Sequence, residues 1–228
     1  MFSSAISSGL VATLSLSGLA LGHPARAASC DPVHIMIARG STENTPGQLI
    51  TLANDIIAAH PGTTYENINY PALLDPYYGP SVQQGTAAVK SQLTDYVKRC
   101  PDSKIVLLGY SQGAQITGDA LCGGDAAGTT APTPPIDAAI SSHVTAVVWY
   151  GDPRHNVSAS YNQGSATTDG LYVRPASQSC DAFSDRIASY CDFGDPYCSD
   201  GSLLWVHLTY PSRWDWPAAY FVDTKLGA

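Results

Sequence analysis

Short continuous apolar runs alternate with amphipathic stretches along this chain. Val33-His34-Ile35-Met36-Ile37-Ala38 reads as a buried strand, and Leu49, Leu52, Ala53, Ile56 and Ile57 recur at helical spacing. Residues 65–70 read as a short strand. Ser81 stands where it would cap a helix whose Val82, Val89, Leu93, Tyr96 and Val97 share one face, ending at Cys100-Pro101. The run Ile105-Val106-Leu107-Leu108 predicts a strand and residues 112–121 a short helix. A Pro/Thr-rich loop follows at 129–135, then a strand over 144–150, another over 187–191, and a last helix over 216–226. Strands without polar alternation are buried on both faces, and strand–helix alternation joins them in parallel. The expected fold is a three-layer α/β/α sandwich around a mostly parallel sheet of about five strands, without a second domain.

Between the strand at 105–108 and the helix at 112–121 lies Gly109-Tyr110-Ser111-Gln112-Gly113. A G-x-S-x-G in that position is the nucleophile elbow of serine hydrolases. The turn is so tight that its neighbours must lack bulk, which glycine two residues before and after supplies. It lifts the serine hydroxyl above the strand end and aims the next backbone N–H at a developing oxyanion. The alternative for Ser111 is an ordinary Gly-rich strand-to-helix turn.

The leader, the cysteines and the charge narrow the setting. Residues 10–21 are apolar but too few to span a bilayer, and Ala25-Arg26-Ala27 is a small-x-small cleavage pattern. Residues 1–27 therefore read as a secretory signal, with or without a short pro-segment, although no Lys or Arg precedes the apolar run. Residues 28–228 remain as a single domain of about two hundred residues, enough for a sizeable core. Six cysteines in a secreted chain imply disulfides, with fifteen pairings open. Zinc is the competing use, but the chain has no C-x-x-C and no H-E-x-x-H. A net charge of −8 argues against a nucleic acid or an anionic membrane as partner. Asn156-Val157-Ser158 is the sole glycosylation sequon.

A serine hydroxyl needs a base to take its proton, and the imidazole needs a carboxylate to orient it. On this type of sheet the order along the chain is Ser, then Asp or Glu, then His. His23, His34 and His60 precede Ser111 and fail that order. His143 lies just before a strand, at the wrong end for a site built on strand C-termini. His155, close behind Asp152, is a rival, its alternative being a polar loop carrying the sequon. His207 has better surroundings: two cysteines bracket the acidic loop Cys191-Asp192-Phe193-Gly194-Asp195-Pro196-Tyr197-Cys198 upstream. A disulfide closing that loop would fix Asp195 where an imidazole can meet it. Asp195/His207 is favoured over Asp152/His155.

These residues resemble a known family. Ala38-Arg39-Gly40-Ser41-Thr42-Glu43 is similar to the oxyanion loop of fungal cutinases, and Gly109 to Gly113 matches the family elbow. Cys191 to Cys198 followed by His207-Leu208-Thr209-Tyr210 matches its acid–histidine region, and the likeness runs to Lys225-Leu226-Gly227. The resemblance implies a secreted serine esterase of α/β-hydrolase fold with Ser111, Asp195 and His207 as triad and no large lid. It implies an oxyanion hole made by Ser41, through N–H and hydroxyl, and by the Gln112 N–H. It also implies disulfides Cys30–Cys100 and Cys191–Cys198, which leaves Cys122 and Cys180 for each other. No cofactor is implied, and a monomer acting on a polymeric ester is expected.

The family divides into cutinases, which release longer acyl groups, and acetylxylan esterases, which remove acetyl from xylan. Ile68-Asn69-Tyr70-Pro71-Ala72, Tyr150-Gly151-Asp152-Pro153 and Gly194 to Cys198 are similar to the acetylxylan branch. Arg39 to Glu43 and Gly201-Ser202-Leu203-Leu204 are closer to cutinases. Leu203 to Val206 would either meet an acyl chain or pack under the loop. Tyr77, Tyr78 and Trp205 would either stack on sugar rings or belong to core or interface. The acetylxylan esterase reading is preferred, with cutinase as the alternative. A carbohydrate-binding protein without catalysis on the same fold is the remote one.

Overall fold

Six stretches of the chain adopt strand geometry in the computed structural model, which describes residues 1–2, 30–125 and 132–227. They are β1 (Val33–Ala38), β2 (Thr64–Asn67), β3 (Lys104–Tyr110), β4 (Val144–Tyr150), β5 (Asn162–Gln163) and β6 (Ile187–Tyr190). They form one sheet in the order β2-β1-β3-β4-β6-β5, with every pairing parallel. The sixth strand, β5, is two residues long and too short to leave a periodic signal. The leader expected at 1–27 lies almost wholly outside the described residues, as do residues 129–131 of the loop at 129–135. Among the described residues no helix is long and apolar enough to cross a membrane.

Helices α1 (Ile50–Ala59), α2 (Tyr78–Arg99), α3 (Gln112–Cys122), α4 (Ala138–Ser141), α5 (Leu204–His207) and α6 (Tyr210–Leu226) complete the fold. Alternate strand residues face opposite layers. Met36, Leu107, Val147 and Trp149 pack with α2 and α3. Ile35, Ile37, Val106, Leu108, Val148 and Tyr150 pack with α1 and α6 on the other face. Each fully buried aliphatic side chain contributes about 1.5–3 kcal/mol. Covering on both faces is why the central strands read as unbroken apolar runs.

Three boundaries differ from the sequence reading, the first being the strand expected over 65–70, which ends at Asn67. The last helix begins at Tyr210, six residues before Trp216, because Pro211 sits in its first turn, where a missing N–H costs nothing. Ser81 lies inside α2 and caps nothing. It is buried, with its hydroxyl turned across to α3. All six cysteines are paired. Cys30–Cys100 joins the segment before β1 to the end of α2, and Cys122–Cys180 ties the end of α3 to the approach to β6. Cys191–Cys198 closes the short loop after β6.

The strand order places the functional loops. From β1 the chain runs outward to β2, then crosses back past β1 to β3 and the strands beyond. Connections therefore diverge between β1 and β3, and the C-terminal ends of these strands leave a crevice there. Ser41 follows β1, Ser111 follows β3, and Asp195 follows β6.

Candidate active site

Ser111 joins β3 to α3 with φ 55° and ψ −118°, a conformation L-residues rarely adopt. Strain of this kind costs about 1–3 kcal/mol and persists only where surroundings over-determine it. Here the Ser111 N–H donates to the Tyr150 carbonyl on β4 (2.8 Å), and the Ser111 carbonyl accepts the Gln115 N–H (3.1 Å). A Cβ on Gly113 would lie 1.8 Å from the Ala38 carbonyl oxygen, and one on Gly109 2.7 Å from Ala114 Cα. Neither glycine of the pentapeptide tolerates a side chain.

Gln112 begins α3, so its backbone N–H lies outside the helix's own hydrogen-bond ladder. Its side chain is fully buried and locks the turn in place. The Ser81 hydroxyl donates to Gln112 Oε1 (2.9 Å), and Gln112 Nε2 donates to the Leu73 carbonyl (2.9 Å). The loop bearing Ser41 is held as firmly. Arg39 donates to the Glu43 and Tyr70 carbonyls (2.8 and 2.7 Å), and the Glu43 carboxylate accepts the N–H groups of Gly40 and Gln48 (2.7 and 3.1 Å). Ser41, Ser111 and His207 line one cleft of about 320 Å³.

Asp195 is completely buried and all its bonds are aimed. Oδ1 accepts the N–H groups of Tyr197 (2.7 Å) and Cys198 (3.1 Å), inside the loop that Cys191–Cys198 closes. Oδ2 meets His207 Nδ1 at 2.8 Å and accepts the Tyr210 hydroxyl at 2.8 Å. Burial pushes the Asp195 carboxyl up, but the hydrogen bond and charge of His207, with the two N–H groups, outweigh it. The net result lies below the ordinary carboxylate range. The His207 carbonyl accepts the Tyr110 hydroxyl (2.9 Å), and Tyr110 and Tyr197 rings flank the imidazole at 5.2 and 4.5 Å between centroids.

The rival pair does not form. The Asp152 carboxylate accepts the Arg154 N–H (2.9 Å), and neither ring nitrogen of His155 has a hydrogen-bond partner among the described residues. Burial lowers the His155 imidazole below its usual range. Asp152 belongs instead to a buried polar cluster in which Asp119 Oδ1 accepts from Arg154 (3.3 Å) and Arg174 (2.9 Å). Asn156, in the sequon, donates through Nδ2 to the Arg174 carbonyl (3.3 Å).

Asp152 carries a pH signature. Burial pushes its carboxyl up to about 6, against the pull of Arg174 and the Arg154 N–H. Its folded value exceeds its unfolded one, so the folded state holds a proton that the unfolded chain releases. Stability therefore falls as pH rises from the unfolded value near 3.8 through about 6. Relative to Asp152→Asn, wild type should lose up to about 3 kcal/mol between acid and neutral pH. Denaturant unfolding across that range measures this, and identical pH profiles in the two proteins would refute it.

Tyr210 and Tyr110 were not foreseen as partners of the acid and the histidine. His207 ends α5 and Tyr210 begins α6, so helical periodicity does not relate them, and the meeting of Tyr210 with Asp195 is set by how the two helices pack. Of the residues weighed for acyl or sugar contact, Leu203, Leu204, Trp205 and Tyr77 are exposed, Val206 is buried, and Tyr78 lines the cleft.

A parallel sheet with a strained serine turn at one strand end and an aspartate–histidine pair beyond another is the plan of the α/β hydrolases. Residues 29–226 match the family model described as Cutinase, and the chain belongs to that family. It is 39% identical to "Acetylxylan esterase 2" of Talaromyces purpureogenus over 87% of this chain and 88% of that one. It is also 39% identical to "Cutinase 11" of Verticillium dahliae, over 88% of this chain and 70% of that one. The solved catalytic core domain of acetyl xylan esterase from Trichoderma reesei superposes with a TM-score of 0.81 at 38% identity. That match covers 86% of this chain and all of the other.

Proposed function

We propose that residues 28–228 form a secreted, monomeric serine carboxylesterase that removes acetyl groups from acetylated xylan. Ser111 Oγ bonds to the ester carbonyl carbon while the His207 imidazole takes the hydroxyl proton. The oxyanion lies against the Gln112 N–H and the N–H and hydroxyl of Ser41. Collapse breaks the bond to the sugar oxygen, which leaves with the proton held by His207. Water, deprotonated by the same imidazole, then cleaves the acetyl-Ser111 ester, releasing acetate and restoring the serine. Asp195 holds the proton of Nδ1 throughout, so the other ring nitrogen stays free to accept.

The observation that carries this reading is the shared cleft of Ser111 and His207, with His207 bonded to buried Asp195 at 2.8 Å. Relatives named acetylxylan esterase support the substrate. A second reading, cutinase, is favoured by Leu74, Leu171, Leu204 and Leu208, which line the cleft and are each exposed. Turnover of p-nitrophenyl esters from acetate upward separates the two. A channel that accepts the acyl chain should gain about fourfold in kcat/KM per methylene, from ~0.8 kcal/mol each. A closed one should show its maximum at acetate, which is the expected result. A maximum at butyrate or beyond would transfer the assignment to cutinase.

A further inference from the structure

Helix α6 presents a face that the proposed ester chemistry does not use. Ser212, Trp216, Tyr220 and Thr224 follow one another at four-residue spacing, and all four are exposed. Trp216 is 78% and Tyr220 61% exposed. Their rings are parallel to within 11°, with centroids 6.1 Å apart. The helix's charged groups are occupied elsewhere. Arg213 donates to Asp192 (3.0 Å), Asp215 accepts from Tyr150 (2.9 Å), Asp223 meets His60 (2.9 Å), and Lys225 lies over the Phe221 ring. The stripe is thus two aromatic rings, without a charge, between two hydroxyls that donate to the Thr209 and Phe221 carbonyls (2.8 and 2.7 Å) and keep lone pairs to accept from a sugar rim.

We infer that this stripe is a docking track for a neutral polysaccharide chain, with Trp216 and Tyr220 stacking on successive sugar rings. The C–H faces of a pyranose are apolar and its rim is hydroxyl-bearing. Parallel rings flanked by hydroxyls match that pattern, and an uncharged stripe matches an uncharged polymer. A second copy of the chain fits less well. An aromatic side chain offers about 150–250 Å² at full burial. Two on each of two copies fall short of the roughly 1,200 Å² that a stable interface needs. The stripe spans about 18 Å along the helix. That helix starts at Tyr210, whose hydroxyl bonds Asp195, so a chain held on it is tethered to the same body as the cleft. Tethering raises the local concentration of ester groups without any new contact at the serine. The identity of the polymer as xylan rests on the proposed function; the track itself does not.

The test uses insoluble deacetylated xylan, which carries no ester, so that retention is independent of turnover. The Trp216→Ala/Tyr220→Ala protein should be retained about tenfold less than wild type, equivalent to ~1.4 kcal/mol. Trp216→Phe/Tyr220→Phe should keep most of the retention. Both variants should hydrolyse p-nitrophenyl acetate at the wild-type rate, which also reports an intact fold. Wild type that does not bind xylan, or an alanine variant that binds as well as wild type, would overturn the inference. So would a wild-type dimer in sedimentation that the alanine variant abolishes, since a second copy would then cover the rings. Ring-dependent retention together with a preference for long acyl esters would keep the track while removing the acetylxylan reading.

Discussion

Ser111→Ala is expected to lower kcat by roughly 10⁵- to 10⁶-fold, the scale seen when a hydrolase loses its nucleophile while oxyanion donors remain. The variant should fold normally. The backbone bonds that hold position 111, to the Tyr150 carbonyl and from the Gln115 N–H, do not involve the hydroxyl. Alanine meets the same positive φ as serine, so its stability should stay within about 0.5 kcal/mol of wild type. Steady-state turnover of p-nitrophenyl acetate and covalent labelling by an organophosphonate make the measurement. Wild type should be labelled once and the variant not at all. Wild-type-like turnover in the variant would remove Ser111 from the mechanism. Absence of labelling in a wild type that still binds xylan would favour the carbohydrate-binding reading.

Asp195→Asn should lower kcat by about 10⁴-fold with little change in KM. The direction follows from the bonds around the carboxylate. The N–H groups of Tyr197 and Cys198 both point at Oδ1, so the amide oxygen of asparagine must occupy that position. Its NH₂ then faces His207 Nδ1 and the Tyr210 oxygen in place of Oδ2. Nδ1 is forced to accept, the imidazole proton moves to the other nitrogen, and the base can no longer take a proton from the serine. The pH profile of wild type carries a related expectation. The Asp195 carboxyl lies below the ordinary range, so it stays ionised through mild acid and remains able to orient the imidazole there. The mild-acid limb of the pH–activity profile should therefore be free of a step from Asp195, and a step there that Asp195→Asn removes would refute this. A near-normal kcat in the asparagine variant would exclude Asp195 as the orienter of His207.

Much of this was legible in the chain itself. The apolar runs at β1, β3 and β4 are continuous because both sheet faces are covered, and that requirement is visible residue by residue. The spacing of Gly109, Ser111 and Gly113 is a local steric demand, since Ala38 and Ala114 stand where side chains would go. The order Ser111, Asp195, His207 could likewise be read from sequence. What could not be read is how particular polar side chains are claimed by residues distant along the chain. Ser81 has the composition of a helix cap, yet its hydroxyl is claimed by Gln112, thirty-one positions on. Asp152 and His155 have the right types and order for an acid–base pair. The fold instead turns the carboxylate to the Arg154 N–H and leaves the imidazole buried without a hydrogen-bond partner among the described residues. Tyr210 supports the acid only because α6 begins beside the loop that Cys191–Cys198 closes.

The sequence by itself determined most of the secondary-structure pattern and the serine turn, because those depend on local sterics and hydrophobic period. The sequence favoured Asp195 for His207, but only the tertiary structure decided that Asp152 and His155 stay apart, and which aromatic rings stay in water. Those outcomes depend on where distant elements pack, which short-range preferences do not encode.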